Sequence, residues 1–144
     1  ESAIVGREIE CAVLGNMDSL KASRCGEVLP QGDHEFYDYE AKYIDAEGAG
    51  IEIPASITPE EEERIQEIAI KTCRALDIEG MARVDVFLTE KGEIIVNEVN
   101  TLPGFTNISM YPKLWEISGL PYSDLLDQLL QLAVQRWKRE KEVE

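Results

Sequence analysis

Apolar and polar positions alternate along Arg7-Glu-Ile-Glu-Cys-Ala-Val-Leu-Gly15, the two-residue period of a strand, and a Gly-Asn turn follows. A second strand is predicted over Gly26 to Leu29. Residues 30–35 read as a polar turn, and the only histidine, His34, sits in it as a solvated side chain. The aromatic stretch 36–43 leads into residues 44–50, where Gly48 and Gly50 among acidic neighbours suggest a mobile surface loop. Gly48-Ala-Gly50 lacks the following helix that a nucleotide fingerprint requires. The period turns helical at Thr58. Thr58 is an N-cap, Pro59 suits the first helical position and Glu61 completes a capping box. Ile65, Ile68, Ala69, Thr72, Cys73 and Leu76 then share one face, while the acids at 60–63 complement the helix dipole. A last helix over 123–141 is expected to turn Leu125, Leu126, Leu129, Leu130, Ala133 and Trp137 inward. Its basic end, Arg136 to Arg139, is again dipole chemistry.

The segment between those helices carries polar residues that alternation leaves on one face. Ala82, Val84, Val86 and Leu88 alternate with Arg83, Asp85 and Phe87, and a second strand runs through Ile94-Ile-Val-Asn-Glu-Val-Asn100. If Lys91-Gly92 is a two-residue hairpin loop, Asp85 faces Glu98 and Arg83 faces Asn100. Directly opposed residues have Cβ atoms about 4.5–5.5 Å apart, so two ionised carboxylates there call for a cation between them. The hard oxygens of Asp85, Glu98 and Asn100 suit Mg²⁺ rather than zinc, and such a site leaves room for water and phosphate oxygens. Arg83 adds a rigid fork that matches phosphate. The alternative is a surface hairpin whose charges point to water.

The next residues extend the same chemistry. In Asn100-Thr-Leu-Pro-Gly-Phe-Thr106, Gly104 allows a ligand close to the backbone. Ser109 precedes a short helix, Met110-Tyr-Pro-Lys-Leu-Trp115, and could serve as an ordinary N-cap or as part of an anion site. A metal–phosphate face feeding into a helix start points to phosphoryl transfer to, or ligation of, a carboxylate.

Composition narrows the field. The chain has 144 residues, room for about one domain, and a net charge of −15. That acidity argues against a general nucleic-acid binder and against adsorption to anionic lipid. No apolar run reaches the length of a membrane span, and a hydrophobic fraction of 44% argues against disorder. Cys11, Cys25 and Cys73 are odd in number and form no CxxC pair, which predicts reduced thiols in a cytosolic protein. The chain opens at Glu1 rather than a methionine and reads as a piece of something longer.

Phe36-Tyr-Asp-Tyr-Glu-Ala-Lys-Tyr43, Ala82-Arg-Val-Asp85 and Asn97-Glu-Val-Asn-Thr-Leu-Pro-Gly-Phe-Thr106 resemble signatures of the D-alanine–D-alanine ligases, members of the ATP-grasp superfamily. With Ser109-Met-Tyr-Pro-Lys-Leu-Trp115 the resemblance runs over essentially the whole chain. It covers the C-terminal part of such an enzyme, without the N-terminal domain or the Gly/Ser-rich phosphate loop. It implies an α+β fold, the second half of an ATP-grasp domain, with helices packed on an antiparallel sheet. It implies ATP-dependent joining of two D-alanines through an acylphosphate, for peptidoglycan precursor synthesis in the bacterial cytoplasm, by a parent that is commonly a homodimer.

By the same resemblance, Asp85 and Glu98 would bind one Mg²⁺ or Mn²⁺, and Glu98 with Asn100 a second. Arg83 and the Gly104 amide would stabilise the tetrahedral oxyanion. Ser109 and Met110 would hold the second D-alanine's carboxylate. Lys42 would reach the ATP γ-phosphate, Tyr43 would close its loop over the site, and Glu8 would bind the ribose. Phe87 and Glu1 would lie at the adenine. The rivals are a depsipeptide ligase using D-lactate, another ATP-grasp carboxylate–amine ligase, and a non-catalytic nucleotide- or metal-binding module. Lys42-Tyr43 points to an amine acceptor, because the depsipeptide ligases lack this pattern.

Overall fold

The computed structural model describes residues 3–29, 50–106 and 108–142. The expected turn at 30–35, the segment 36–43, the loop 44–49, and Glu1, His34, Lys42 and Tyr43 lie outside them. The element order is β1 (Arg7–Gly15), β2 (Lys21–Leu29), β3 (Gly50–Glu52), α1 (Pro59–Ala75), β4 (Gly80–Leu88), β5 (Ile94–Asn100), α2 (Met110–Ile117) and α3 (Tyr122–Glu142). The five strands form one sheet in the order β3-β2-β1-β4-β5, with every neighbouring pair antiparallel. This is the expected α+β architecture.

β2 is longer than predicted because a bulge hides its first half from a periodicity search. The β1–β2 register shifts between Cys11 and Val13, so Ser23 and Arg24 oppose Ala12 alone. The Ala12 amide left over by the bulge donates to the Ser23 hydroxyl at 3.0 Å, and Ser23 is fully buried despite its polarity. β3, three residues long, is too short to show a period at all.

α1 begins as the sequence predicts. The Glu61 amide donates to the Thr58 hydroxyl oxygen at 3.2 Å, and the Thr58 amide donates to the Glu61 carboxylate at 2.8 Å. That bond to the Thr58 backbone holds the Glu61 carboxyl below its ordinary range. Ile65, Ala69 and Cys73 face inward and are fully buried, but Leu76, expected on the same face, is the C-cap and is exposed. Together with Ile9, Cys11, Val13, Cys25, Ala82, Val84 and Val86 they make a dry core on one side of the sheet. All three thiols there are free and buried, and burial pushes Cys73 up to about 11.

α2 and α3 cover part of the other face, where Ala12, Leu14, Val28, Met110, Tyr111, Leu114, Trp115 and Leu125 form a second core. The Tyr111 hydroxyl donates to the Val13 carbonyl at 2.9 Å and pins α2 to β1. Gly26 admits that helix. A Cβ on Gly26 would lie 2.7 Å from the Met110 sulfur and 3.0 Å from Leu114. α3 buries less than expected: Leu125 is buried and Leu129 half-buried, whereas Leu126, Leu130, Ala133 and Trp137 are exposed. The predicted inward stripe was too wide, for Leu132 takes the place assigned to Ala133. The arginines near its end do more than meet a dipole, since the Arg139 Nη2 donates to both Glu79 oxygens at 2.7 Å, tying α3 to the start of β4.

Candidate functional site

Strand alternation sorts β4 cleanly. Ala82, Val84, Val86 and Leu88 enter the dry core, while Met81, Arg83, Asp85 and Phe87 point to the face that carries α2 and α3. The pairs Arg83↔Asn100 and Asp85↔Glu98 form as the sequence arithmetic predicts. They do so by a different route. The loop holds three residues, not two: Gly92 donates to the Thr89 carbonyl at 2.9 Å, Thr89 donates to the Glu93 carbonyl at 3.0 Å, and Gly92 takes φ +74°. This loop alone would set Asp85 against Asn97 and turn Glu98 toward the dry side. A bulge between Asp85 and Val86 restores the pairing. Two departures from the simple hairpin therefore cancel at the site.

Arg83 lies at the centre of a group of acids. Its Nε donates to the Asp85 Oδ1 at 2.8 Å and its Nη2 to the Oδ2 at 2.7 Å, a bidentate pair. Glu98 approaches the same Nη2 at 3.8 Å. Glu10 on β1 stands directly across the sheet from Asp85, and its Oε2 is 3.2 Å from the Arg83 Nε. Asp85 is fully buried and Glu10 and Arg83 nearly so, while the Glu98 side chain is 45% exposed. Glu8, opposite Phe87, completes the set. One oxygen each from Glu8, Glu10 and Asp85 lie within 4.8 Å of one another.

Sequence reasoning missed Glu10. The signal was the Glu8-Ile9-Glu10 alternation, which puts both acids on one side of β1. Only the pairing of β1 with the distant β4 shows that side to be the site rather than solvent.

The remaining candidates divide. Phe87 is half-buried and belongs to neither core, which leaves its ring on the site face. The Asn100 side-chain oxygen accepts from the Leu102 amide at 3.0 Å and starts the turn into the following loop; its second lone pair remains for a ligand. Gly104 is exposed, and a Cβ there would come 3.0 Å from the Ser109 hydroxyl oxygen. Ser109 is the N-cap of α2 by backbone position, but its hydroxyl makes no capping bond to the helix. It accepts from the Thr106 amide at 3.0 Å and meets the Thr106 hydroxyl at 2.9 Å, closing the loop on itself. Met110 keeps its side chain in the core, against Gly26, so any ligand contact falls to its backbone. Phe105 packs against Tyr111 and Tyr122, and the Tyr122 hydroxyl donates to the Phe105 carbonyl at 3.2 Å, which anchors the loop.

The donor set fits a hard divalent cation. Every candidate ligand offers oxygen, the carboxylates converge, and Asp85 has no access to water that would solvate its charge. It does not resemble a zinc centre, because the thiols are all in the other core and no histidine lies among the described residues.

An antiparallel sheet with helices on both faces matches the fold of the ATP-grasp class, and one of those faces here carries a guanidinium held among carboxylates. The chain belongs to the D-ala D-ala ligase C-terminus family, whose model matches residues 1–131. It is 62% identical over 143 residues to a D-alanine–D-alanine ligase of Shouchella clausii, a match that spans 99% of this chain and 38% of that protein. Among solved structures, it is similar to the D-alanine–D-alanine ligase from Coxiella burnetii, with a TM-score of 0.84 and 44% identity over 99% of this chain and 36% of that one. The VanG D-Ala:D-Ser ligase from Enterococcus faecalis gives 0.77 and 43%, over 92% of this chain and 37% of its own. The D-alanine–D-alanine ligase from Bacillus anthracis complexed with ATP gives 0.75 and 33%, over 97% and 43%.

Proposed function

We propose that this chain is the C-terminal part of an ATP-dependent D-alanine–D-alanine ligase. The observation that carries the reading is the restored register: it brings Arg83, Asp85, Glu98 and Asn100 onto one face of the β4–β5 hairpin, next to the Gly104–Ser109 loop. In the proposed reaction one D-alanine carboxylate takes the γ-phosphoryl group of ATP to become an acylphosphate. The amine of a second D-alanine attacks that carbonyl and phosphate leaves. Asp85, Glu98 and Asn100 would hold two divalent ions, Mg²⁺ or Mn²⁺, which would supply charge neutralisation for the phosphate oxygens. Arg83 and the Gly104 amide face the oxyanion that develops in the attack, where fixed donors lower the barrier most. Ser109 and the Met110 backbone orient the second substrate's carboxylate at the start of α2. Glu8 and Phe87 contact the ribose and adenine; the proposal also assigns Glu1 to the adenine, Lys42 to the γ-phosphate and Tyr43 to closure over the site, three residues outside those described.

The phosphate loop and the N-terminal domain, on this reading, belong to the part of the relatives' length that the chain does not span. Positioning catalysis needs both sides of the clamp, so this chain alone is expected to ligate no D-alanine. Among the described residues no helix is long and apolar enough to cross a membrane. A cytoplasmic homodimer as the parent is part of the proposal.

The test is a competition. The complete protein is supplied with ATP, Mg²⁺ and D-alanine together with D-serine and D-lactate, and its products are separated by mass. D-Alanyl-D-alanine as the main product, with phosphate release dependent on D-alanine, is expected. Predominant ester product refutes the acceptor assignment, and predominant D-alanyl-D-serine transfers the reading to the activity named for the Enterococcus faecalis protein. Release of no phosphate with any acceptor leaves the non-catalytic binding module.

A further inference from the structure

We infer that Glu10 is a positioning residue for Arg83: the guanidinium is shared between Asp85 and Glu10, and it passes to Glu10 when Asp85 takes up a divalent cation. The inference rests on the reading of Asp85 as a metal ligand.

The geometry sets up a conflict at Asp85. Both of its oxygens accept from Arg83, at 2.8 and 2.7 Å, so a divalent cation at that carboxylate would set a second positive charge against the guanidinium and draw on the same negative charge. The conflict cannot be settled by sending Arg83 into water, since Arg83 is only 7% exposed and Asp85 is 0% exposed. A buried guanidinium stripped of its carboxylate is strongly unfavourable. Glu98 is a poor second holder, because it stands 3.8 Å away, is half exposed, and belongs to the metal ligands on the same reading. Glu10 meets the need. It is 3% exposed, its oxygen is already 3.2 Å from the Arg83 Nε, and it reaches the group from β1 rather than from the hairpin.

The arrangement also explains why two acids can face each other across β1 and β4. Glu10 and Asp85 are direct register partners, a pairing that is destabilising for like charges unless a cation lies between them. Arg83 fills that place in this structure. With a divalent ion on Asp85, the Arg83 Nε–H would be held by Glu10, and its Nη groups would be left in the site for substrate.

The Arg83 Nε–H proton reports the hand-over directly. The ¹⁵N-labelled complete protein and its Glu10→Gln variant are titrated with Mg²⁺ alone, following the Arg83 Nε–H signal, its solvent exchange, and the Glu98 and Asn100 amides. In the wild type the Arg83 signal is expected to move in step with those amides and to stay slow to exchange. In Glu10→Gln it should be slow without Mg²⁺ and exchange about tenfold faster or more at saturation. Equal exchange in the two proteins at saturation overturns the inference, as does a wild-type Arg83 signal that stays put while the Glu98 and Asn100 amides move. A weakened Mg²⁺ midpoint in Glu10→Gln with Arg83 exchange unchanged makes Glu10 a direct ligand instead, which also overturns it. Should the Glu98 and Asn100 amides themselves fail to move, the metal reading falls and this inference with it. The wild-type titration stands even if the variant does not fold.

Discussion

Val84 and Asp85 are consecutive in β4, both fully buried, and they live in opposite surroundings. Val84 points into a core closed by α1, which it shares with Ile9, Ile65, Ala69 and Cys73. Asp85 points to a face only partly covered by α2 and α3, against Arg83, Glu10 and Glu98. The dry face could be filled by almost any apolar set of the right volume, and it holds the sheet together. The charged face is expensive to bury and contributes little to folding that a few apolar residues could not supply better. One strand thus separates the two tasks by the parity of its residues. Folding rests on the even positions, and the odd ones carry the charged residues to which the proposed chemistry is assigned.

That division can be broken from either side. The largest effect is expected at the charged face: Arg83→Met should cost about 4 kcal/mol in urea unfolding, because it removes the guanidinium with which both buried acids, Glu10 and Asp85, are paired. Adding Asp85→Asn to that variant should restore part of the loss, which an apolar core could not do. Ile65→Ala, on the dry face, should cost about 3 kcal/mol by opening a cavity under α1. Its Mg²⁺ titration should nevertheless match the wild type, and a shifted midpoint would show the faces to be coupled. Thr58→Ala should cost about 1 kcal/mol in the same unfolding measurement, by removing one arm of the capping box.

The smallest effect sharpens the comparison by pH. Glu61 is solvent-facing and its carboxyl is held below its ordinary range by the Thr58 backbone bond. A lowered folded value means stability that is fully present above the unfolded value of about 4.3 and is lost as the pH falls through the folded one. Glu61→Gln should therefore be slightly less stable than the wild type near neutral pH, and the two should converge in acid. A gap that persists unchanged to low pH would show the carboxylate's charge to be irrelevant there.

Much of this was legible because it is local. The capping box, the alternation of β1 and the α1 stripe up to Cys73 each depend on residues a few positions apart and lie where the spacing puts them, while the hairpin keeps its predicted pairs but not its predicted loop. The first half of β2 was not legible, because the bulge at Ser23–Arg24 breaks the alternation that marks a strand. The width of the α3 stripe depends on how far α3 leans from the sheet, which no helical period states. Ser109 had the right position for a cap and a nearer partner in Thr106. Glu10 is the instructive miss. Its neighbours across the sheet come from β4, dozens of residues away, so its place among the charges exists only once the chain has folded.

The bulge beside Asp85 gives the hairpin a kind of slack. Ile94, Ile95 and Val96 are apolar in succession, so either phase of the strand near the tip offers the dry core an aliphatic side chain. Asn97-Glu-Val-Asn100 has no such freedom, since one step of slip would bury Glu98 and expose Val99. A chain one residue shorter at the tip could keep a three-residue loop, lose the bulge, and still set Asp85 against Glu98. Length variation at this hairpin's tip is therefore insulated from the site, and the end that tolerates insertion and deletion lies on the same strand as the end that tolerates neither.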